Sequence, residues 1–340
     1  MRSSEFDYPL PETAIAQTPI EPRDAARLLV VAGMQDHHFR DLPRLLDPGD
    51  LVVVNDTRVR AARLFGEKAE TGARIEVLLL DRTADGRWEA LVRPARRLRP
   101  GDVIRLGPIT AEILTSPMEG RVHLALTAPG DVEDAIEAAG EAPLPPYITT
   151  TLADPDRYQT VYAARTGSAA APTAGLHVTP RLLEELGHRS IEMARVELQV
   201  GLGTFRPITA ELIRDHEMHP ERISVPEATA VAIESARRRG GSVVAIGTTV
   251  VRTLESRALG PGVEPGEGET SLFITPGHRF SVVDRLITNF HLPRSSLVVM
   301  VAAFLGPEWR DVYTTALERG YRFLSFGDAM LADRFDRRSP

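Results

Sequence analysis

The rhythm of apolar and polar positions changes twice along the chain. Pro9, Pro11, Pro19 and Pro22 keep the opening segment extended rather than helical. Arg27–Val31 and Leu51–Val54 are short, near-continuous apolar runs bounded by polar residues, the pattern of buried strands. Between them Phe39–Leu46 predicts a brief amphipathic helix stopped by Pro48-Gly49. From about residue 61 the period becomes two. Arg74–Leu80, Trp88–Val92, Asp102–Leu106, Ile109–Leu114 and Val122–Leu126 predict short strands, separated by turn signals such as Ala84-Asp85-Gly86, Arg99-Pro100-Gly101 and Met118-Glu119-Gly120. After Pro143–Tyr147, which reads as a linker, the alternation of helical and strand patterns returns. Thr179 predicts an N-cap with Pro180 at the first helical position, Leu182, Leu183 and Leu186 as the apolar face and Gly187 as the stop. Ile191–Val200 predicts the strand that follows, and Val225-Pro226-Glu227 opens a helix closed by Gly240-Gly241. Ser242–Ile246 predicts a buried strand that Gly247 turns into a helix over Val250–Arg257. Pro307–Arg319 predicts a helix stopped by Gly320, and Tyr321–Phe326 a last strand. The expected architecture is a layered α/β domain, discontinuous over 1–60 and 151–340, with a small antiparallel β-barrel inserted over 61–150.

Composition narrows the chemistry. The chain has 340 residues, 43% hydrophobic and 26% charged, enough for about two domains with an ordinary core. It has no cysteine, which excludes a thiol nucleophile, a disulfide framework, a Cys-ligated zinc site and a Cys-held iron–sulfur cluster. The longest clean apolar run, Leu297–Leu305, falls well short of the ~20 residues a bilayer demands, and the start of the chain is polar and acidic where a signal peptide would be apolar. No membrane association and a cytoplasmic location are the default expectation. The net charge of −7 argues against tight non-specific nucleic-acid binding. Arg93, Arg96, Arg97 and Arg99 form a local basic cluster, readable either as a solvated face or as a contact for a polyanion.

The candidate chemistry gathers around Ala171–Phe205. APTAGLH (Ala171–His177) puts a glycine, Gly175, two residues before His177 and just ahead of a helix start. GLGTF (Gly201–Phe205) makes a second Gly-rich loop after the following strand. Two such loops at the ends of one helix–strand unit bring backbone N–H groups together, as α/β proteins do for polar or nucleotide-like ligands. Gly201, Gly203 and Thr204 lack the Lys of a P-loop, so this loop signals close backbone approach rather than phosphate. Asn55-Asp56-Thr57-Arg58 lies at the carboxyl end of a predicted strand, where a ligand site and a side-chain-stabilised turn are both open readings. Arg252 and Glu255 lie three apart on one helical face, and His291 follows Asn289 closely. A Gly-flanked loop histidine adds little to a core, so His177→Ala is expected to lower turnover strongly without unfolding the protein. His216-Glu217-Met218-His219 has the wrong spacing for a helical zinc motif, and no metal is expected.

Taken together, these segments resemble one family closely, the S-adenosylmethionine:tRNA ribosyltransferase-isomerases of queuosine biosynthesis. The resemblance rests on FDYPLPETAIAQTPIEPRDAARLLV (Phe6–Val30), GDLVVVNDTRVRAARLFG (Gly49–Gly66), WEALVRPARRLRPGD (Trp88–Asp102), PLPPYI (Pro143–Ile148) and DPDRYQTVYA (Asp154–Ala163). It continues through APTAGLH, VGLGTFRPI (Val200–Ile208), HEMH, GTT and VRTLES (Gly247–Ser256), TNFHLP (Thr288–Pro293) and GYRFLSFGDAML (Gly320–Leu331). It implies a discontinuous α/β domain carrying an inserted barrel. It also implies an enzyme that consumes S-adenosylmethionine as a ribosyl donor, so that the molecule is a substrate and there is no cofactor. The implied acceptor is 7-aminomethyl-7-deazaguanine at the wobble position of a tRNA, giving epoxyqueuosine with release of adenine and methionine. No obligate protein partner is implied. His177, Asp56, Glu255 and His291 become the candidate acids and bases. Asn55, Arg58, Thr173, Gly175, Gly201, Gly203, Thr204, Arg252 and Asn289 become candidate substrate contacts, and Arg93, Arg96, Arg97 and Arg99 candidate tRNA contacts. The chain departs from the family pattern at Val178, Gln199 and Val250, where Phe, His and Ser are usual. Val178 would remove a stacking face for adenine and Gln199 a titratable group. A paralogue using S-adenosylmethionine on another base or amine, and a non-catalytic RNA-binding protein, are the alternatives.

Overall fold

The computed structural model describes residues 1–83, 85–201 and 207–337. Its chain divides into two compact units, Met1–Arg58 with Pro145–Pro340, and Val59–Leu144.

The first unit is built on a nine-stranded mixed sheet. Its strands run, edge to edge, Gly266–Thr270, Glu221–Val225, Glu192–Leu198, Leu51–Asn55, Val243–Ile246, Arg285–Asn289, Ala329–Asp333, Arg27–Val30 and Gln35–His38. The four strands from Glu192–Leu198 to Arg285–Asn289 are parallel; Ala329–Asp333 runs antiparallel beside them. All five residues of Leu51–Asn55 are buried, because successive side chains enter two different cores. Leu51 and Val53 join Val243, Ala245 and the helices Glu227–Arg238, Thr248–Ser256, Ser296–Leu305 and Trp309–Glu318 on one face. Val52 and Val54 join Val244, Ile246, Phe39, Leu42 and the helix Pro180–His188 on the other. Parallel register brings the carboxyl ends of Leu51–Asn55, Val243–Ile246 and Arg285–Asn289 to one edge, since Val54 and Ile287 both pair with Ile246. Among the described residues no helix is long and apolar enough to cross a membrane.

The second unit is a closed six-stranded barrel in the order Arg121–Thr127, Trp88–Arg93, Arg74–Arg82, Arg63–Lys68, Val103–Leu106 and Ile109–Ile113, all neighbours antiparallel. Leu64, Ile75, Val77, Trp88, Ala90, Ile104, Ala111 and Leu124 fill it, as strict alternation requires.

Several elements differ from the pattern-based expectation, among them the following. Arg63–Lys68 is a sixth barrel strand, which its single inward apolar residue, Leu64, did not reveal. Val132–Ala139 is a helix capped by Asp131, whose carboxylate accepts from Glu133 N and Asp134 N. Gly187 lies inside the helix Pro180–His188, and the left-handed residue after the helix is Ser190, at φ 58°. Tyr321–Phe326 is not a strand. Leu324 sits at φ 68°, Gly327 N–H donates back to Leu324 O, and the Asp328 carboxylate accepts from Arg322 N and Arg27 N. That bend buries the aromatics Tyr321, Phe323 and Phe326, of which Phe323 makes an isolated parallel bridge to Ile15; the last strand is Ala329–Asp333.

Candidate active site

The turn Thr173–His177 lies against the carboxyl edge of the sheet, where strand Arg285–Asn289 ends. Asn289 organises the contact. Its amide nitrogen donates to the Asp328 carbonyl at 3.2 Å, which fixes the orientation of the amide, and its Oδ1 then accepts from Thr173 Oγ1 at 3.0 Å. The same amide nitrogen is 3.2 Å from His177 Nε2, so that ring nitrogen must be the acceptor. The imidazole also bonds the Arg23 backbone, and its ring lies 4.9 Å from that of Phe39. Burial, reinforced by Arg322, Arg157 and Arg23, lowers the His177 pKa to about 4. His177 is therefore a neutral, packed imidazole, 4% exposed, and contributes more to the core than its glycine-flanked position suggested. Its ring adjoins a small cavity of about 10 Å³ with Arg23, Arg157 and Ser325.

His291 lies beyond the same strand end. Its Nε2 is 2.9 Å from Thr288 Oγ1, its backbone N–H donates to Tyr313 Oη, and burial lowers its pKa to about 3. With Thr173, Asn289, Tyr147 and Ser325 it lines a cavity of about 30 Å³.

The two neutral rings make acid stability a direct readout. The unfolded chain protonates histidine near pH 6.5, whereas these folded rings resist protonation until about pH 4 and about pH 3. Their contribution is complete above ~6.5 and is lost as the pH falls towards ~4. At pH 5 each is expected to remove roughly 2 kcal/mol. Urea midpoints at pH 7 and pH 5 should therefore differ more for the wild-type chain than for His177→Gln or His291→Gln. An equal difference in all three proteins would refute the assignment.

Asp56 follows strand Leu51–Asn55 directly. It is 7% exposed, its N–H donates to Val196 O and its carbonyl accepts from Ala164 N. Burial raises its carboxyl pKa, opposed by Arg165 and Arg195 and assisted by Glu197. Among the described residues its carboxylate takes no side-chain hydrogen bond. This is the environment of a carboxylate poised to take a proton. Tyr162, whose hydroxyl is also pushed upward by burial and by Asp56, stands close by. Gly175 is needed for packing. A Cβ there would lie 2.0 Å from Tyr162 Oη and 3.0 Å from Thr160 Cγ2.

Other predicted residues have structural work. Asn55 accepts from Thr57 N and Leu198 N and donates to Leu198 O, clamping two parallel strands where their ladder ends. Three hydrogen bonds thus hold its amide at the strand ends. Arg252 does not meet Glu255. It pairs with Glu221 and donates to Leu272 O, while Glu221 also accepts from Gly201 N at 3.0 Å. Its Nη2 is buried without a partner among the described residues. Arg58 is half-buried in the short strand Thr57–Val59. Gly203 and Thr204 lie outside the described residues. Glu255 accepts from Ser281, Val282 and Val283 N–H groups, with His278 Nε2 at 3.8 Å. Burial alone would raise its pKa, but His278 and the three N–H groups outweigh it and hold the carboxyl low. Glu255→Gln turns one acceptor into a donor facing N–H groups. It is expected to cost about 2–3 kcal/mol in urea unfolding while leaving the turnover of folded protein unchanged; a large fall in turnover with unaltered stability would restore Glu255 as an acid or base.

The three departures also acquire physical settings. Val178 and Val250 are fully buried in the two cores, so Val178 packs against the sheet and offers no face to a ligand. Gln199 donates to Glu197 at 2.8 Å and covers Gly167. Phe39, Tyr162, Glu221 and Asp328 were missed as site residues; their contacts bridge segments distant in sequence. In the barrel, Arg93, Arg96, Arg97 and Arg99 are all exposed.

The family model described as queuosine biosynthesis protein matches residues 3–332. The chain belongs to that family. It is 55% identical to an S-adenosylmethionine:tRNA ribosyltransferase-isomerase of Moorella thermoacetica over 97% of this chain and 99% of the relative. A relative of the same name from Heliobacterium modesticaldum is 53% identical with the same coverage. The crystal structure of an S-adenosylmethionine tRNA ribosyltransferase from Thermotoga maritima is similar with a TM-score of 0.55 at 38% identity, covering 96% of this chain and 99% of that one. The α/β unit with its closed barrel is thus a fold shared with an enzyme family.

Proposed function

We infer that this protein is an S-adenosylmethionine:tRNA ribosyltransferase-isomerase. It uses S-adenosylmethionine as a consumed ribosyl donor, with no cofactor, and a tRNA carrying 7-aminomethyl-7-deazaguanine as acceptor. The observation that carries this reading is end-to-end likeness, 55% over 97% of the chain, to a relative of that name.

The chemistry needs a base, because the donor's sulfonium acidifies the neighbouring ribose carbon. Asp56 is the side chain suited to that role: burial raises its pKa, and its carboxylate is not tied down by other side chains of the described residues. The neutral ring of His177, held by Asn289 and the Arg23 backbone, acts as a positioning group for the turn Thr173–His177. His291 remains neutral at physiological pH and presents a fixed hydrogen-bonding edge beside Thr173 and Asn289. Arg252, fixed by Glu221, has one guanidinium nitrogen without a partner among the described residues, suited to a carboxylate or phosphate oxygen of a substrate.

Incubation with S-adenosylmethionine and tRNA bearing the aminomethyl base should yield epoxyqueuosine by nucleoside mass spectrometry, with one adenine released per modified base. Folded protein that leaves the acceptor intact and releases no adenine would defeat the reading. Adenine release on a different base or amine would point to the paralogue.

A further inference from the structure

The barrel carries a feature that the ribosyl-transfer chemistry leaves unused. Along strand Arg63–Lys68 the side chains alternate, and the outward one in the middle is an aromatic: Phe65 is 51% exposed while Leu64 is buried. Phe65 pairs across the sheet with Glu76, and Glu76 with Arg93, so the three form one row on the outer face. The Arg63 guanidinium lies 5.1 Å from the Phe65 ring centroid and donates to Glu76 at 2.7 Å, which neutralises that carboxylate. A groove of about 500 Å³ runs here, lined by Phe65, Gly66, Glu67, Arg74, Glu76 and Arg93. Beside Phe65 its wall is bare backbone. A Cβ on Gly66 would lie 2.0 Å from the Arg105 carbonyl, so only glycine fits that close approach.

The surrounding charge is mostly basic, with Glu67 and Glu76 as the carboxylates of the groove. Arg74, Arg93, Arg96, Arg97, Arg99 and Arg105 are exposed and make no ion pair among the described residues. They concentrate at one end of the barrel: the Arg97 carbonyl accepts from Lys68, and Arg105 stands opposite Glu67 in the strand ladder. This cluster belongs to a chain of net charge −7, so it is a local arrangement rather than a consequence of bulk basicity. An exposed aromatic flanked by unpaired guanidinium groups suits an unpaired nucleotide, whose base stacks on the ring while its phosphates meet the arginines. It does not suit a protein partner, because a single exposed ring provides too little apolar area for a stable interface.

We propose that this groove is an RNA-docking subsite in which one unpaired nucleotide stacks on Phe65 and its flanking phosphates are held by Arg93 and Arg74. The proposal rests on the tRNA-modifying reading above and adds a second place of contact, outside the reaction centre.

Binding of an unmodified tRNA transcript to the full chain, followed by fluorescence anisotropy across a salt series, tests it. Phe65→Ala should weaken binding about 10-fold and Phe65→Trp should retain wild-type affinity. Arg74→Ala with Arg93→Ala should reduce the slope of log affinity against log salt by about 1.4. Met118→Ala, at another exposed apolar position of the barrel, should change neither. Wild-type affinity in Phe65→Ala, or equal weakening by Ala and Trp, overturns the subsite. So does a Phe65 effect confined to self-association, read by sedimentation. Parallel measurement of epoxyqueuosine formation separates the two readings: wild-type enzyme that makes product while Phe65→Ala binds tRNA normally rejects the subsite alone, whereas a protein inactive on tRNA rejects the function itself.

Discussion

Asp56→Asn is expected to lower turnover about 10³-fold, within the range general-base catalysis contributes. The two side chains are nearly isosteric, and the backbone bonds from Asp56 N to Val196 O and from Ala164 N to Asp56 O do not involve the group exchanged. The change therefore removes the proton acceptor and little else. Stability gives the second half of the argument. Because burial raises the folded pKa, an ionised Asp56 opposes folding at neutral pH, so the neutral amide should leave the thermal midpoint unchanged or raise it. The wild-type profile of kcat/KM against pH should show an acidic limb whose midpoint lies above that of an ordinary aspartate, and the residual activity of Asp56→Asn should lack that limb. Turnover within threefold of wild type, or a midpoint that remains in the variant, would assign proton removal to another group.

Gly175→Ala is expected to reduce turnover at least 100-fold and to destabilise the fold by about 2–4 kcal/mol, because the new methyl cannot fit without displacing the buried Tyr162 ring or the turn itself. Its Cβ would lie 2.0 Å from Tyr162 Oη, in the same turn that carries Thr173 and His177. Relief by moving the turn shifts the Thr173 hydroxyl that holds Asn289 and the His177 ring beside Phe39. Tyr162→Phe provides the internal control. That hydroxyl is buried without a hydrogen-bond partner among the described residues, so its removal alone should be near neutral for stability. Combined with Gly175→Ala it should restore part of both stability and turnover, since the clash is with the oxygen. Independent, additive effects in a double-mutant cycle would show that the contact is not what makes glycine necessary.

The parts of the fold legible in the sequence are those whose signal is local. Leu51–Val54 and Ser242–Ile246 read as buried strands because both faces are covered, and such strands have no polar alternation to hide them. Five barrel strands were legible through period-two alternation; Arg63–Lys68 was not, because Phe65 faces outward and only Leu64 marks the inside. Thr179 was legible as a cap, since its hydroxyl needs only the N–H of Leu182 three residues on. Tyr321–Phe326 was misread because its aromatics satisfy a strand pattern while Asp328 and Leu324 bend the backbone away from the sheet.

By itself, the sequence determined the fold class, the interruption of an α/β chain by a barrel, and, through its ordered motifs, the family. It also placed Asp56, His177 and Asn289 at the ends of elements where α/β sheets gather chemistry. Tertiary structure decided what each of these groups is. That Asn289 sets the tautomer of His177, that Arg252 is held by Glu221, and that Glu255 caps the 281–283 turn all depend on contacts across tens to hundreds of residues. The physical reason is that periodicity, capping and turn chemistry act over a few positions. Protonation, tautomer and hydrogen-bond partnership depend on burial and on neighbours that only the closed sheet brings together.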